Sequence, residues 1–182
     1  MDEGYLSLHT DYLNDPEVHR YIFSRPPFTF AQQQAWLQER KRSGDKVFAI
    51  LAPESSREAA SSEFIGVIEL RDIDFKKGSA YTASMLGNRK YSGKGIAHEA
   101  RLMVLRYAFN DLGLKRVYSK TIRSNLRSRQ SLERTGYRCM GVFPKIRELN
   151  GTLHDELLYG ISRQSWFEHW QKYEAGEASK IL

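Results

Sequence analysis

The sequence predicts an α+β fold built on a single mixed, mostly antiparallel sheet flanked by helices, and three observations carry that prediction. Three short segments rich in β-branched and aromatic residues, "KVFAIL", "EFIGVIEL" and "SAYTASML", follow one another with only polar or turn-like stretches between them. After Gly95 the apolar positions change to a 3.6-residue period through Ile96, Ala100, Met103/Val104, Tyr107 and Ala108. Near the end, two further strand-like segments are joined by Asn150-Gly151, a strong hairpin signal. At 182 residues the length suits one hydrophobic core, so residues 1–182 are read as a single domain.

Taken in chain order, "NDPEVHRYIF" begins a helix with Asn14 or Asp15 as N-cap, Pro16 at the first helical position and Glu17 in the first turn. In "PPFTFAQQQAWLQERKRSG", Thr29 and Gln32 have capping-box spacing, and Arg40 to Arg42 suit the negative end of a second helix that stops near Ser43. The three strands then form a meander, with "PESSREAASSE" a solvated loop between the first two. The long helix from Gly95 runs to a stop at Gly113. "KRVYSKTI" is a strand, "NLRSRQSLERTG" a short helix ending at Gly136, and "YRCMGVFPKIRELNGTLHDELLYGIS" the final hairpin. "WFEHWQKY" closes the chain as a helix, followed by a tail expected to fray.

Composition bounds the function classes. No run of about 18 apolar residues could span a bilayer, and the first residues are acidic where a secretory signal is basic, so a cytoplasmic protein without a membrane partner is expected. The one cysteine, Cys139, has no disulfide partner and no zinc-type neighbours; no metal site is expected and the residue is read as a small core side chain. A formal charge of +6 favours an anionic partner, which a nucleotide-containing cofactor, a nucleic acid or an acidic protein surface would each supply.

The stretch "GNRKYSGKGIAHEA", Gly87 to Ala100, concentrates glycines and basic residues immediately before the long helix. It is not a P-loop, because five residues rather than four separate Gly87 from Gly93, and Gly95 stands where the magnesium-binding Ser/Thr belongs. It is not a dinucleotide fingerprint either, having two glycines in "GKGIAHEA" and a meander around it. What remains is the physics those motifs share: backbone N–H groups freed by glycine at the positive end of a helix, strengthened by Arg89, Lys90 and Lys94.

The succession "SAYTASMLG", "KYSGKGIAHEARLMVLRYAF" and "NLRSRQSLERTGY" resembles the GNAT superfamily of N-acetyltransferases, over about Asp11 to Trp166. Within it, "LNDPEV", the Asn with Ser three residues on, and the "NG…HD" hairpin resemble the branch of ribosomal-protein N-terminal acetyltransferases and related amino-sugar, antibiotic and polyamine acetylating enzymes. The family loop is (Gln/Arg)-x-x-Gly-x-(Gly/Ala); Gly93 and Gly95 match it, and Lys90 replaces Gln/Arg. The resemblance implies that Lys90, Tyr91, Ser92, Gly93, Lys94, Gly95, Ile96 and Ala97 wrap the pyrophosphate of acetyl-CoA. It also implies a splayed strand pair in the sheet, with the backbone of Met85 and Leu86 on pantetheine and Asn125 nearby. Asn125 equally suits a helix N-cap.

Such an enzyme binds amine and thioester together for direct attack, with no covalent intermediate. The family's frequent tyrosine acid, seven residues after the asparagine, is Leu132 here, which leaves Ser128 or a water it holds as the substitute. Glu69, in the apolar strand "FIGVIEL", leads as general base, with Glu148, His154 and Asp155 behind it; a solvent-facing strand and a surface hairpin are the plain alternatives. At pH 7, deprotonation costs about 1.4 kcal/mol for an α-amine but about 4.6 kcal/mol for a lysine, which favours a protein N-terminus or a small amine as acceptor. The relatives' strand before the first helix is short, missing or altered here. The partners implied are acetyl-CoA and an amine-bearing acceptor, with the chain a monomer or homodimer. Other classes are a non-catalytic CoA-binding module and, through "RSNLRSRQSLER", a nucleic-acid binder, ranked lower because those arginines fall largely on the exposed face of a short helix near the proposed cofactor.

Overall fold

The computed structural model describes residues 1–22, 26–53, 62–149 and 151–176. The expected loop at 54–61, Asn150 and the tail at 177–182 lie outside the described residues. Six strands form one sheet in the order β1-β2-β3-β4-β6-β5: β1 (Lys46–Pro53), β2 (Ser62–Asp74), β3 (Ser79–Leu86), β4 (Arg116–Ile122), β5 (Arg138–Leu149) and β6 (Thr152–Ser162). All pairs are antiparallel except β3 with β4.

That parallel pair is short. β3 and β4 are matched only from Ser79↔Arg116 to Thr82↔Ser119, although β3 continues to Leu86 and β4 stays paired with β6 as far as Ile122↔Glu156. Beyond Thr82 and Ser119 the two strands part, leaving the β4-facing edge of Ala83 to Leu86 without a strand partner. Gly66 helps hold β3 to its other neighbour: a Cβ there would meet the Met85 carbonyl oxygen at 2.2 Å, so only glycine permits that approach of β2.

Helices cover the sheet on both faces. On one side α1 (Leu6–Asn14) and α3 (Phe30–Arg42) pack through Leu6 and Leu37 against Val47. On the other, α4 (Ile96–Arg106), α5 (Leu126–Arg134) and α6 (Arg163–Glu174) build the main core with Ile65, Ile68, Leu70, Leu102, Leu105, Leu132, Trp166 and Trp170. The capping box at Thr29 and Gln32 is present, and α3 ends at Ser43.

Two expectations change. Asp15 does cap a helix at Pro16, but this α2 (Pro16–His19) is a single turn, and the longer α1 precedes it. The first strand, expected to be short, missing or altered, does not form among the described residues, where residues 3–14 make a 3-10 turn and then α1. Its buried stripe of Leu6, His9, Thr10 and Leu13 has helical spacing but half of it is polar, which hides the period. Cys139 is exposed on β5, not in the core, because β5 lies at the sheet edge. The long helix ends as expected near Gly113, its last turn, Tyr107–Asp111, widened into a π-helix.

Candidate active site

Glycine 93 and Gly95 have φ of +77° and +76°, a left-handed conformation that other residues rarely adopt. Gly95 occupies the N-cap of α4 and brings no capping side chain, so the N–H groups that open the helix are left for a ligand. A Cβ at Gly93 would meet nothing within 4 Å, so the loop's backbone faces open space. Lys90 and Lys94 each carry Nζ to 5.3 Å from the Tyr91 ring, gathering both cations around the same loop. These residues fit a diphosphate: donors, positive helix end and cations converge where the chain itself leaves room.

The loop is anchored from behind by residues that sequence reasoning missed. Glu63 on β2 accepts from Asn88 Nδ2 at 2.6 Å and from the Tyr91 hydroxyl at 2.7 Å, and Asn88 Oδ1 accepts from the Lys90 N–H at 3.0 Å. Gly87 N donates to the Ile65 carbonyl at 2.8 Å. Tyr12 on α1 lies directly against Gly87, where a Cβ would come within 1.9 Å of the ring, and its hydroxyl donates to the Phe64 carbonyl at 2.9 Å. Tyr91 itself is buried, so its side chain supports the loop while Lys90 and Lys94 are exposed. No local pattern marks Glu63; it is brought in by the register of β2, not by spacing.

Asn125 caps α5, its side chain accepting from the Ser128 N–H at 3.1 Å. Leu132 is 1% exposed and belongs to the core. One turn beyond Ser128 on the same helix, Ser131 accepts a hydrogen bond from Arg101 of α4 at 2.6 Å, and the other Arg101 nitrogen donates to Ser84 of β3 at 2.8 Å. Arg101 is buried, whereas Ser84, beyond the last β3–β4 pair, is exposed. Close by, the Tyr137 hydroxyl and Thr82 Oγ1 are 2.9 Å apart, and burial pushes the Tyr137 phenol up to about 12. Arg101 stands in the buried stripe four residues before Leu105 and seven before Ala108, a charge within an apolar face that the sequence does display.

The gap is approached differently from the other face. Glu69 pairs across the sheet with Ala83, the first β3 residue past the last β3–β4 pair, so both side chains project to the same side. That side is the α3 face, where Glu69 Oε2 lies 3.6 Å from Arg40 Nε, and Arg40 also holds Asp45 at 2.8 Å. Burial raises the Glu69 carboxyl above its ordinary value, against the opposing pull of Arg40 and then Arg71. Further along this face, Tyr81 and Tyr118 are in ring contact, and Lys120 bridges towards Glu156, which Arg147 binds at 2.6 Å. His154 lies 3.4 Å from Ser124 Oγ, and Asp155 is engaged by Arg123 and the Lys145 N–H. Glu148 pairs with Leu153 in the hairpin. Among the described residues no three His, Cys, Asp or Glu side chains gather as a metal site, and no helix is long and apolar enough to cross a membrane.

A sheet that parts near a helix start with open backbone donors is an arrangement that suits a CoA-dependent acyltransferase. The chain belongs to the acetyltransferase (GNAT) family, whose domain model matches residues 3–138, and acetyl-CoA is that family's acyl donor. It is 29% identical over 154 residues to an SPbeta prophage-derived uncharacterized N-acetyltransferase of Bacillus subtilis, covering 84% of this chain and 82% of the relative. Over 101 residues, 56% of this chain and 55% of the relative, it is 30% identical to a Bacillus subtilis protein provisionally named a ribosomal N-acetyltransferase. Among solved structures, the spermidine N-acetyltransferase of Vibrio cholerae, in complex with CoA and spermine, superposes with a TM-score of 0.79 at 20% identity, covering 92% of this chain and 95% of that one. That likeness is one of fold.

Proposed function

We propose that this enzyme moves an acetyl group from acetyl-CoA directly to a primary amine in a ternary complex, the acceptor being a protein N-terminal α-amine or a small-molecule amine. The observation that carries the reading is the gap between β3 and β4, which begins at Ala83 on the strand that leads into the uncapped start of α4. In this reading the diphosphate rests on the backbone from Lys90 to Ala97, and the pantetheine arm runs along the free edge of β3 at Met85 and Leu86, past Asn125 and Ser128. The thioester then reaches the gap, and the amine arrives from the α3 face.

Glu69 is the proposed general base. Its support is its place beside Ala83 and a carboxyl raised by burial, the direction that makes a carboxylate a better proton acceptor near neutrality. Ser128 remains the proposed proton donor on α5, one turn after the Asn125 cap. Holding both reactants in one cleft removes the entropic cost of their encounter, the main contribution this site would make.

Among the described residues the acceptor face sets Lys120, Arg147, Arg40 and Arg71 beside its carboxylates, an arrangement that leaves little net negative charge for a polycation. This favours a mono-amine, such as a peptide N-terminus or an amino sugar, over a polyamine. The test is CoA release with acetyl-CoA and three acceptors: a short peptide with a free N-terminus, an amino sugar nucleotide and spermidine. Turnover of the peptide or the sugar above spermidine supports the mono-amine reading; turnover of spermidine alone refutes it, and no CoA release with any of the three refutes the proposed transfer to these amines.

A further inference from the structure

Arg101 is a fully charged side chain placed behind the gap with hydroxyls as its partners. It is 5% exposed, and its guanidinium donates to Ser84 Oγ at 2.8 Å and Ser131 Oγ at 2.6 Å. Among the described residues no carboxylate forms an ion pair with it. A buried cation ordinarily needs an anion, because desolvation is only offset by a counter-charge or by hydrogen bonds that spread it. Here burial lowers the Arg101 pKa, and the charge is presented outward through two hydroxyls, one exposed and one half-buried.

The geometry of those hydrogen bonds has a chemical direction. Each serine oxygen accepts from Arg101, so each hydroxyl proton is free to point away from the guanidinium. Ser84 belongs to the stretch of β3 that has left β4, and Ser131 faces it from α5. Glu69 approaches the gap from the opposite face of the sheet, since Ala83 and Ser84 alternate sides. One side of the gap therefore carries the Glu69 carboxyl, and the other a pair of hydroxyls bound to a buried guanidinium.

Resting on the reading of the site given above, we propose that Ser84 and Ser131, polarised by Arg101, receive the CoA thiolate as it leaves. In the transfer the amine nitrogen forms a bond to the thioester carbon, the C–S bond breaks with its electron pair going to sulfur, and the amine proton passes to the base or to water. The two hydroxyls donate hydrogen bonds to the sulfur anion, which then takes its proton by way of Ser128 and the water it holds. The serines touch the reacting atom; Arg101 is a positioning residue that acts through them. This takes the place of the tyrosine acid that the family resemblance would put at position 132, where this chain has Leu132 in the core.

The test reads the thiol itself. Bound CoA is titrated by the ultraviolet absorption of its thiolate, with desulfo-CoA as the spectral blank, for the unmodified enzyme, Arg101→Met, Arg101→Lys and the double variant Ser84→Ala/Ser131→Ala. The proposal expects the bound thiol to ionise at least about tenfold more readily than free CoA, whose thiol has a pKa of about 8.5. Arg101→Met returns it to the free value, Arg101→Lys restores part of the shift, and the double variant moves it upward, while calorimetric affinity for desulfo-CoA stays within about twofold. A bound thiol that titrates like free CoA in the unmodified enzyme overturns the proposal, as does an unchanged titration in the double variant, which decides the matter if Arg101→Met does not fold. Failure of the unmodified enzyme to bind desulfo-CoA would instead refute the CoA site itself.

Discussion

Histidine 9 makes acid sensitivity of the α1–α3 layer a quantitative expectation. The ring is 3% exposed, stacks on Trp36 of α3 with centroids 5.1 Å apart, and leaves Nδ1 without a hydrogen-bond partner. Burial lowers its pKa to about 4 from an ordinary 6.5. Because the folded value is depressed, the unfolded chain binds the proton more readily, and stability is lost as pH falls from 6.5 towards 4. From those two values, linkage gives a loss of about 1.8 kcal/mol between pH 7 and pH 5, out of about 2.0 kcal/mol accumulated by pH 5. The perturbation is His9→Phe, which keeps the ring against Trp36 and removes the titration. Urea unfolding of both proteins at a series of pH values measures the difference directly. The gap between the two unfolding free energies should change by about 1.8 kcal/mol in favour of the variant on going from pH 7 to pH 5. Parallel pH profiles over that interval would refute the reasoning.

Two other substitutions test the surroundings of the cleft. Glu63→Ala removes two short charge-assisted hydrogen bonds to Asn88 and Tyr91, so KM for acetyl-CoA should rise by about tenfold or more with a much smaller change in kcat, measured by CoA release; an unchanged KM would show that the loop does not need this anchor. Leu132→Tyr, which puts the family's usual tyrosine back into the sequence, should overpack the core and lower stability by about 1–3 kcal/mol without raising kcat, since the site is 1% exposed; a faster enzyme would mean that the ring reaches the cleft.

Much of the fold was legible because its signals are local. The Thr29–Gln32 capping box, the period after Gly95 and the strand segments of the meander appear where expected. α1 was missed because His9 and Thr10 interrupt its apolar stripe; their burial depends on Trp36 and on neighbours distant in sequence. Cys139 was misplaced because a small apolar-like residue in a strand reads as core unless the strand is known to be an edge.

The site divides in the same way. Gly93 and Gly95 announce themselves, because positive φ and a bare helix start have a residue signature. Glu63 and Ser84 carry none, since strand register alone brings one to Asn88 and Tyr91 and the other to Arg101. The parting of β3 from β4 is likewise a property of pairing, and the resemblance to the family supplied it where periodicity did not.

The central claim is that the backbone around Gly93 and Gly95 holds the diphosphate of acetyl-CoA, and calorimetric titration of the unmodified protein, Gly93→Asp and Gly95→Asp with acetyl-CoA and CoA tests it most directly. Both glycines lie in the left-handed region, where a side chain costs about 1–2 kcal/mol of backbone strain, and a Cβ at Gly93 meets open space, so an aspartate there places a side chain and a negative charge in the ligand's path. The account predicts micromolar binding by the unmodified protein and its loss in both variants; a folded, unmodified protein that binds neither ligand, or aspartate variants that bind as tightly, would contradict it.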